Sequence, residues 1–402
     1  MSFSSFDLSP EILRSVRDRG HHHATAIQSS TIPVALSGRD LVATAETGSG
    51  KTAAFLLPLL DRLHRKPPHG VSALILAPTR ELAAQIGREF RIFARNLHLR
   101  AAVIVGGESM HRQLQELRHG AHVLVACPGR LIDHVERNTI KLDHIEVVVI
   151  DEADRLLDMG FLPQLRRIMR MVPRRRQTLM FSATMAPAIE QLAREFLHDP
   201  ARISVGDASA PPATIRQKIC PVTIDNKSAM LLEILKRSEV DSAIVFTRTK
   251  SRADRVAKLL TRNSIKAIAI HGDRSQGQRN AALAGFRKGT YRVMVATDVA
   301  ARGLDIPDVS HVINFDLPDE TENYIHRIGR TARMGKVGEA MSLVTPEERQ
   351  SLGQIERVLG RKLERENVAG FEALEISAPK PVKIFRSSSM RQRSSRSRRR
   401  AF

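Results

Sequence analysis

Short runs of aliphatic and β-branched residues recur along the first half of the chain, at 41–45, 73–77, 101–105, 122–126, 147–151 and 179–182. Each run is continuous and apolar rather than alternating, as strands buried on both faces require. Stretches with apolar residues at helical spacing follow them, at 51–63, 81–93, 110–118, 130–137, 162–171 and 187–196. Strand–helix alternation of this kind predicts an α/β domain with a doubly wound parallel sheet. The segment 206–216 breaks the rhythm. Its Pro211-Pro212 pair resists helix and removes ladder donors, so 207–216 reads as an extended linker. Strand-like runs resume at 243–246, 267–270, 293–296, 309–315 and 340–344. The expected organisation is therefore one domain over 1–206, a linker over 207–216, a second domain of the same class over 217–368, and a tail over 369–402.

Composition adds a partner to this picture. The 402 residues are 42% hydrophobic, enough to build two cores. Lys and Arg number 63 against 43 Asp and Glu, a net charge of +20, which favours a polyanion, nucleic acid being the commonest. Nine of these basic residues fall within 377–402, where no acidic residue stands. That Ser/Arg-rich stretch cannot bury enough apolar surface to offset its ordering entropy, so it is expected to be a disordered basic tail that engages RNA or protein partners. The two cysteines, Cys127 and Cys220, suggest neither a disulfide framework nor a metal cluster. No apolar run approaches the roughly 20 residues of a membrane span, and Met1-Ser-Phe-Ser-Ser5 lacks the features of a secretory signal. A cytoplasmic protein is the expectation.

The candidate chemistry lies where strands end. The run 41–45 leads into Ala45-Glu46-Thr47-Gly48-Ser49-Gly50-Lys51-Thr52 and then a helical stretch. Glycines let backbone N–H groups cradle phosphate oxygens at a helix N-terminus, whose dipole favours anions. In such a loop Lys51 reaches the terminal phosphates of ATP and the Thr52 hydroxyl coordinates Mg2+. Ala45 stands where the strict pattern has glycine. About 100 residues on, a strand-like run delivers Asp151-Glu152-Ala153-Asp154. Alone, an acidic cluster at a strand end reads more readily as a solvated loop or cap; beside a phosphate loop it reads as Asp151 holding Mg2+ and Glu152 deprotonating the attacking water. In the second half, Arg330 and Arg333 are three apart and so point the same way on a helical turn, suited to neutralising a phosphoryl transition state.

These motifs in this order resemble DEAD-box RNA helicases of superfamily 2, over about 3–366, and within them the bacterial RhlE-type branch. The resemblance is carried by Asp151-Glu-Ala-Asp154, Pro78-Thr-Arg-Glu-Leu82, Ser182-Ala-Thr184, His271-Gly-Asp273, Gln276 with Arg279, Thr297-Asp-Val-Ala-Ala-Arg-Gly-Leu-Asp305 and His326 to Arg333. It implies two RecA-like domains that clamp ATP and RNA, RNA-stimulated ATP hydrolysis in the cleft, and local separation of short duplexes. It also implies that Gln28 reads adenine while Phe3 stacks on it, that Asp305 contacts the ribose beside Gly303, and that Ser182, Thr184 and His326 couple hydrolysis to domain closure. RNA contacts are implied for Pro78, Thr79, Arg80, Gly107, Gly129, Arg130, Thr247, Gln276, Arg279, Thr297 and Arg302. These are donors for phosphates and sugars and carry no base code, so binding is expected to be largely independent of sequence.

Several positions depart from the family pattern. Ala24 and Ala26 replace prolines and His21 an aromatic, Glu46 stands for a common glutamine, and Cys127 replaces a threonine and is assigned no RNA contact. The run His21-His22-His23 reads as solvated imidazoles rather than a metal site, since no further ligand cluster accompanies it. Two other classes stay open at this point. A non-enzymatic RNA clamp or annealing chaperone is distinguished by whether RNA stimulates ATP turnover, and a DNA-directed helicase by competition between RNA and DNA of equal sequence.

Overall fold

A computed structural model describes residues 1–46, 48–68, 70–205, 215–301, 309–332 and 338–371. It contains two seven-stranded sheets, and every pairing within each is parallel. The first comprises β1 (Leu41–Ala45), β2 (Ala73–Leu76), β3 (Ala101–Ile104), β4 (Val123–Ala126), β5 (Val147–Ile150), β6 (Gln177–Ser182) and β7 (Ala201–Val205), in the spatial order β3-β4-β2-β5-β6-β1-β7. The second comprises β8 (Ile215–Pro221), β9 (Ala243–Phe246), β10 (Ala267–Ile270), β11 (Val293–Ala296), β12 (His311–Asn314), β13 (Gly338–Val344) and β14 (Glu364–Arg365), in the order β10-β11-β9-β12-β13-β8-β14. Helices cover both faces of each sheet, so each sheet carries one apolar cluster per face. That is why the central runs are apolar throughout: all four residues of β5, for example, are buried.

The expected strands are present to within a residue or two, and the differences have local causes. β6 begins at Gln177 rather than 179, because two polar residues are buried by specific bonds. Gln177 Nε2 donates to Ala35 O and Arg39 O, and the Thr178 amide donates to Asp40. Strands β7, β8 and β14 were not expected. β7 is a half-exposed edge, β8 mixes Arg, Gln and Lys with its apolar residues, and β14 has two residues. Ile215 and Arg216, read as the end of a linker, pair instead with Gly338 and Glu339. The rest of the expected linker, 207–214, and the tail from 372 to 402 lie outside the described residues.

Parallel connectivity puts the C-terminal ends of the strands, and the loops that follow them, along one edge of each sheet. In the first sheet β1, β6 and β5 are adjacent. The loop after β1, Ser182 at the end of β6 and Asp151 after β5 are therefore neighbours, although they span more than a hundred positions of sequence.

Candidate active site and nucleic-acid interface

The loop after β1 is held by its glycines and by one buried lysine. Gly48 and Gly50 have φ of +86° and +100°, and Gly50 is the left-handed N-cap of the helix Lys51–Arg65. A Cβ at Gly50 would come within 2.5 Å of Gln28 Nε2, so the position is closed to side chains twice over. Lys51 is 7% exposed and donates to Ala45 O at 2.7 Å. Gln28, expected to read adenine, makes a reciprocal cap with Thr25 and donates from Nε2 to Gly50 O at 3.1 Å. Its amide is thereby tied to the phosphate loop. Phe3 is buried and packs edge-on against Phe6. Glu46 points to an exposed position, with its carboxyl raised above the usual range by partial burial against the opposing pull of Lys51. Thr47 lies outside the described residues.

Asp151 is buried, and burial together with the Glu152 charge pushes its carboxyl up to about 7 despite Lys51. A buried carboxyl so perturbed is a group that a cation would return to its ionised form. Glu152 adopts a left-handed backbone, φ +49°, and its carboxylate is 2.5 Å from Arg155 Nη1. Asp154 reaches across to β6, accepting from the Ala183 and Thr184 amides at 2.8 and 3.1 Å. Among the described residues, Ser182 Oγ is buried with no hydrogen-bond partner, as are Nε and Nη2 of Arg155. Such orphaned groups cluster where a ligand completes the bonding. One carboxylate and one hydroxyl, Asp151 and Thr52, are a set suited to Mg2+, which keeps most of its shell as water and phosphate oxygens.

The second sheet faces this edge. His326 lies on the helix Thr321–Ile328. Burial pushes its imidazole down to about 4, and Asp154, Glu152 and Arg155 of the first sheet act on it together with Arg330. Arg327, two per cent exposed, anchors that helix: it forms a two-pronged pair with Asp298 at 2.6 and 2.7 Å and donates to Asn314 Oδ1 and Asp316 O. Sequence reasoning missed Arg327 and Asp298. Arg330 is buried, whereas Arg302, Gly303, Asp305 and Arg333 lie outside the described residues.

Most of the residues expected to meet RNA occupy the loops and helix starts after strands. Pro78 is buried, and Thr79 caps the helix Arg80–Phe93. The Arg80 guanidinium packs on Gly106 and Gly107, the latter at φ +76°. Gly129 is exposed, and Arg130 donates to Glu108 O at 3.1 Å while its Nε is buried without a hydrogen-bond partner among the described residues. Thr247 and Thr297 are buried at the ends of β9 and β11. Gln276 and Arg279 have a second engagement that the sequence did not suggest. Both reach Glu81 of the first sheet, at 3.1 and 2.8 Å, leaving Arg279 Nε and Gln276 Oε1 without hydrogen-bond partners among the described residues. The signal available was a lone carboxylate inside Pro78-Thr-Arg-Glu-Leu82, a motif otherwise made of groups suited to phosphate.

Comparison with known proteins agrees with this geometry. Residues 25–192 match the DEAD/DEAH box helicase family, and residues 226–335 match the helicase conserved C-terminal domain. A DEAD-box ATP-dependent RNA helicase CshA from Bacillus cereus is 44% identical over 377 residues, 93% of this chain and 71% of the relative. The chain belongs to the DEAD-box ATP-dependent RNA helicase family. Among solved structures, S. cerevisiae Dbp5 bound to RNA and ADP BeF3 matches with a TM-score of 0.83 and 30% identity, over 92% of this chain and 96% of that one. A Dbp5 variant bound to Gle1 and IP6 matches over 92% and 95% at the same identity but with a TM-score of 0.75. Among the described residues no helix is long and apolar enough to cross a membrane.

Proposed function

We propose that this DEAD-box protein hydrolyses ATP between its two sheets in response to RNA, and uses closure of the cleft to separate short duplexes. The division into a first domain over 1–206 and a second that begins with β8 at Ile215 and runs to 368 is part of the same reading. The observation that carries it is the convergence of the phosphate loop, Asp151–Glu152 and Ser182 on one edge, with His326 and Arg330 brought to it from the other sheet.

In this reading the loop from Ala45 to Thr52 binds the phosphates through backbone N–H groups, and Lys51 leaves Ala45 O to meet them. Thr52 and Asp151 hold Mg2+, which supplies charge neutralisation at the phosphate oxygens when bound. Glu152, released from Arg155, orients water and takes its proton; Arg330 and Arg333 neutralise charge developing on the transferred phosphoryl group. Gln28 and Phe3 hold adenine, and Asp305 beside Gly303 holds ribose. Asp154 links the acidic motif to the Ser182-Ala-Thr184 segment through the Ala183 and Thr184 amides, Ser182 and Thr184 couple hydrolysis to closure, and His326 senses it from across the cleft. RNA lies over the remaining residues named above, held by backbone and sugar contacts without a base code. Because ATP and RNA each touch both sheets, each raises the affinity for the other.

The basic tail acts as a tether on RNA or as a docking segment for protein partners, and the site of action is the cytoplasm. The RhlE-type likeness stands as a proposal of branch only, since relatives at 41–44% identity carry the name CshA, a different branch. The test is ATP turnover with and without RNA, in the native chain and in Glu152→Gln. RNA should stimulate the native chain, and the variant should bind ATP but turn over roughly 10²–10⁴ times more slowly, the usual contribution of a general base. Turnover indifferent to RNA, or near-native turnover by the variant, overturns the reading.

A further inference from the structure

Beneath the RNA face of the first sheet lies a buried polar chain that none of the roles above uses. His134 stands one helical turn beyond Arg130 on the helix Pro128–Glu136 and is fully buried. Its Nε2 is 3.1 Å from Gln113 Oε1, and its Nδ1 is 2.8 Å from Thr139 Oγ1. Gln113, 1% exposed, belongs to the helix Met110–Arg118 that follows the Gly106-Gly107 loop. Its Nε2 donates to Val105 O at 2.7 Å, and its Oε1 also faces Arg130 Nη1 at 3.4 Å.

For a neutral ring these contacts favour one arrangement. The Gln113 amide must turn its N–H groups toward the Val105 carbonyl, so its oxygen faces the imidazole and the guanidinium. An acceptor facing the ring requires the ring proton on Nε2. With the proton on Nε2, Nδ1 is an acceptor for the Thr139 hydroxyl, which also lies 2.8 Å from His134 O, the carbonyl that takes the Thr139 amide at 3.0 Å. Burial and the nearby Arg130 both lower the imidazole's proton affinity, which keeps this neutral form. One glutamine side chain thereby ties the strand end at Val105, which leads into Gly106 and Gly107, to Arg130. Arg130 also holds Glu108 O just beyond those glycines, while its Nε, 3.6 Å from Asp133 Oδ2, has no hydrogen-bond partner among the described residues.

We infer that His134 is a positioning residue for RNA binding: by fixing the Gln113 amide it sets the Gly106-Gly107 loop and Arg130 in register with each other. The inference rests on the proposed RNA roles of Gly107 and Arg130. A histidine that merely filled space would affect stability and nothing else. A histidine that orients the amide affects how much RNA is needed, and leaves the ATP chemistry at the far strands alone.

The experiment titrates the full chain with a uridine oligonucleotide and follows ATP turnover. It reads the RNA concentration for half-maximal rate, the maximal rate, the ATP KM and the thermal midpoint. His134→Phe keeps a ring and removes both nitrogens. It should raise the half-maximal RNA concentration about tenfold, as expected when a buried amide loses its partner and the group it supports shifts. The maximal rate and ATP KM should stay within about twofold, because the perturbation is confined to the supporting contacts. His134→Gln can donate from its amide to Gln113 Oε1 and should recover most of the RNA affinity at a thermal midpoint similar to that of His134→Phe. If His134→Phe does not fold, Thr139→Val reports instead: it keeps the ring, removes the hydroxyl facing Nδ1, and should still weaken RNA several-fold. Equal RNA requirements for His134→Phe and His134→Gln, or parallel losses of maximal rate and ATP KM, overturn the inference. So does native RNA affinity in Thr139→Val. Arg130→Ala separates this from the underlying reading. If it leaves the RNA requirement unchanged, the RNA role of Arg130 fails and the inference with it. If it weakens RNA while His134→Phe does not, only the positioning role fails.

Discussion

Glu81→Gln tests whether closure of the cleft depends on a contact between the two sheets that is not itself a ligand contact. Glu81 sits in the first turn of its helix, where the dipole favours a carboxylate, and its side chain is 6% exposed. Arg279, 13% exposed, approaches it at 2.8 Å, and Gln276 donates to it at 3.1 Å. At that separation an effective dielectric of about 20 gives roughly 6 kcal/mol of attraction, most of which desolvation of the two ions offsets. Charge-assisted hydrogen bonds of this kind contribute about 1.5–3 kcal/mol net. Glutamine keeps an acceptor and similar volume, so the loss falls on the charge. Taking about 2 kcal/mol, the closed state loses roughly 30-fold in population. The assay is the affinity of a labelled RNA in the presence of a non-hydrolysable ATP analogue, which reports the closed form. RNA should bind about 30-fold more weakly to Glu81→Gln, whereas ATP affinity without RNA should be nearly unchanged. Because Arg279 is also a proposed RNA contact, a double-mutant cycle with Arg279→Gln isolates the pair. Affinity within twofold of native for Glu81→Gln, or a coupling near zero in the cycle, refutes the reasoning.

Two further outcomes concern pH and salt. The His326 imidazole is pushed down to about 4 from its usual 6.5, chiefly by burial. The folded chain therefore favours the neutral ring, so the stability this supplies is complete above pH 6.5 and is lost as pH falls toward 4, by at most about 3 kcal/mol. Urea midpoints against pH should show that slope in the native chain and less of it in His326→Gln; equal slopes refute the assignment. For the tail, each neutralised phosphate of a single strand adds about 0.7 to the slope of log affinity against log salt. Deleting 379–402 should lower that slope by about 3, if about half of its basic charges engage RNA, and leave the RNA-saturated ATP rate similar; an unchanged slope removes the tail from RNA binding.

The strand–helix alternation and the phosphate loop were legible in the sequence because each depends on residues close together in the chain. An unbroken apolar run means burial on both faces, and Gly48, Gly50, Lys51 and Thr52 form one turn and one helix start. The family resemblance rests on the same property, a series of short motifs in order. Where the pattern was weak, the elements were missed: β7 shows one face to solvent, β8 interleaves charged residues, and β14 is too short to carry a period. Tertiary structure alone decided which polar groups meet. Glu81 and Gln276 are 195 positions apart, and no local rule relates them. Gln28 was read as facing adenine, yet its amide also bonds Gly50 O, because the helix Ala26–Leu36 packs against the helix Lys51–Arg65. Nothing in the sequence around His134 marks it, and it is Gln113 and Thr139 that close around its ring. The physical reason is common to these cases. A buried polar group must find a partner, and the chain around it states that need without naming the partner; only the packing of distant segments supplies one.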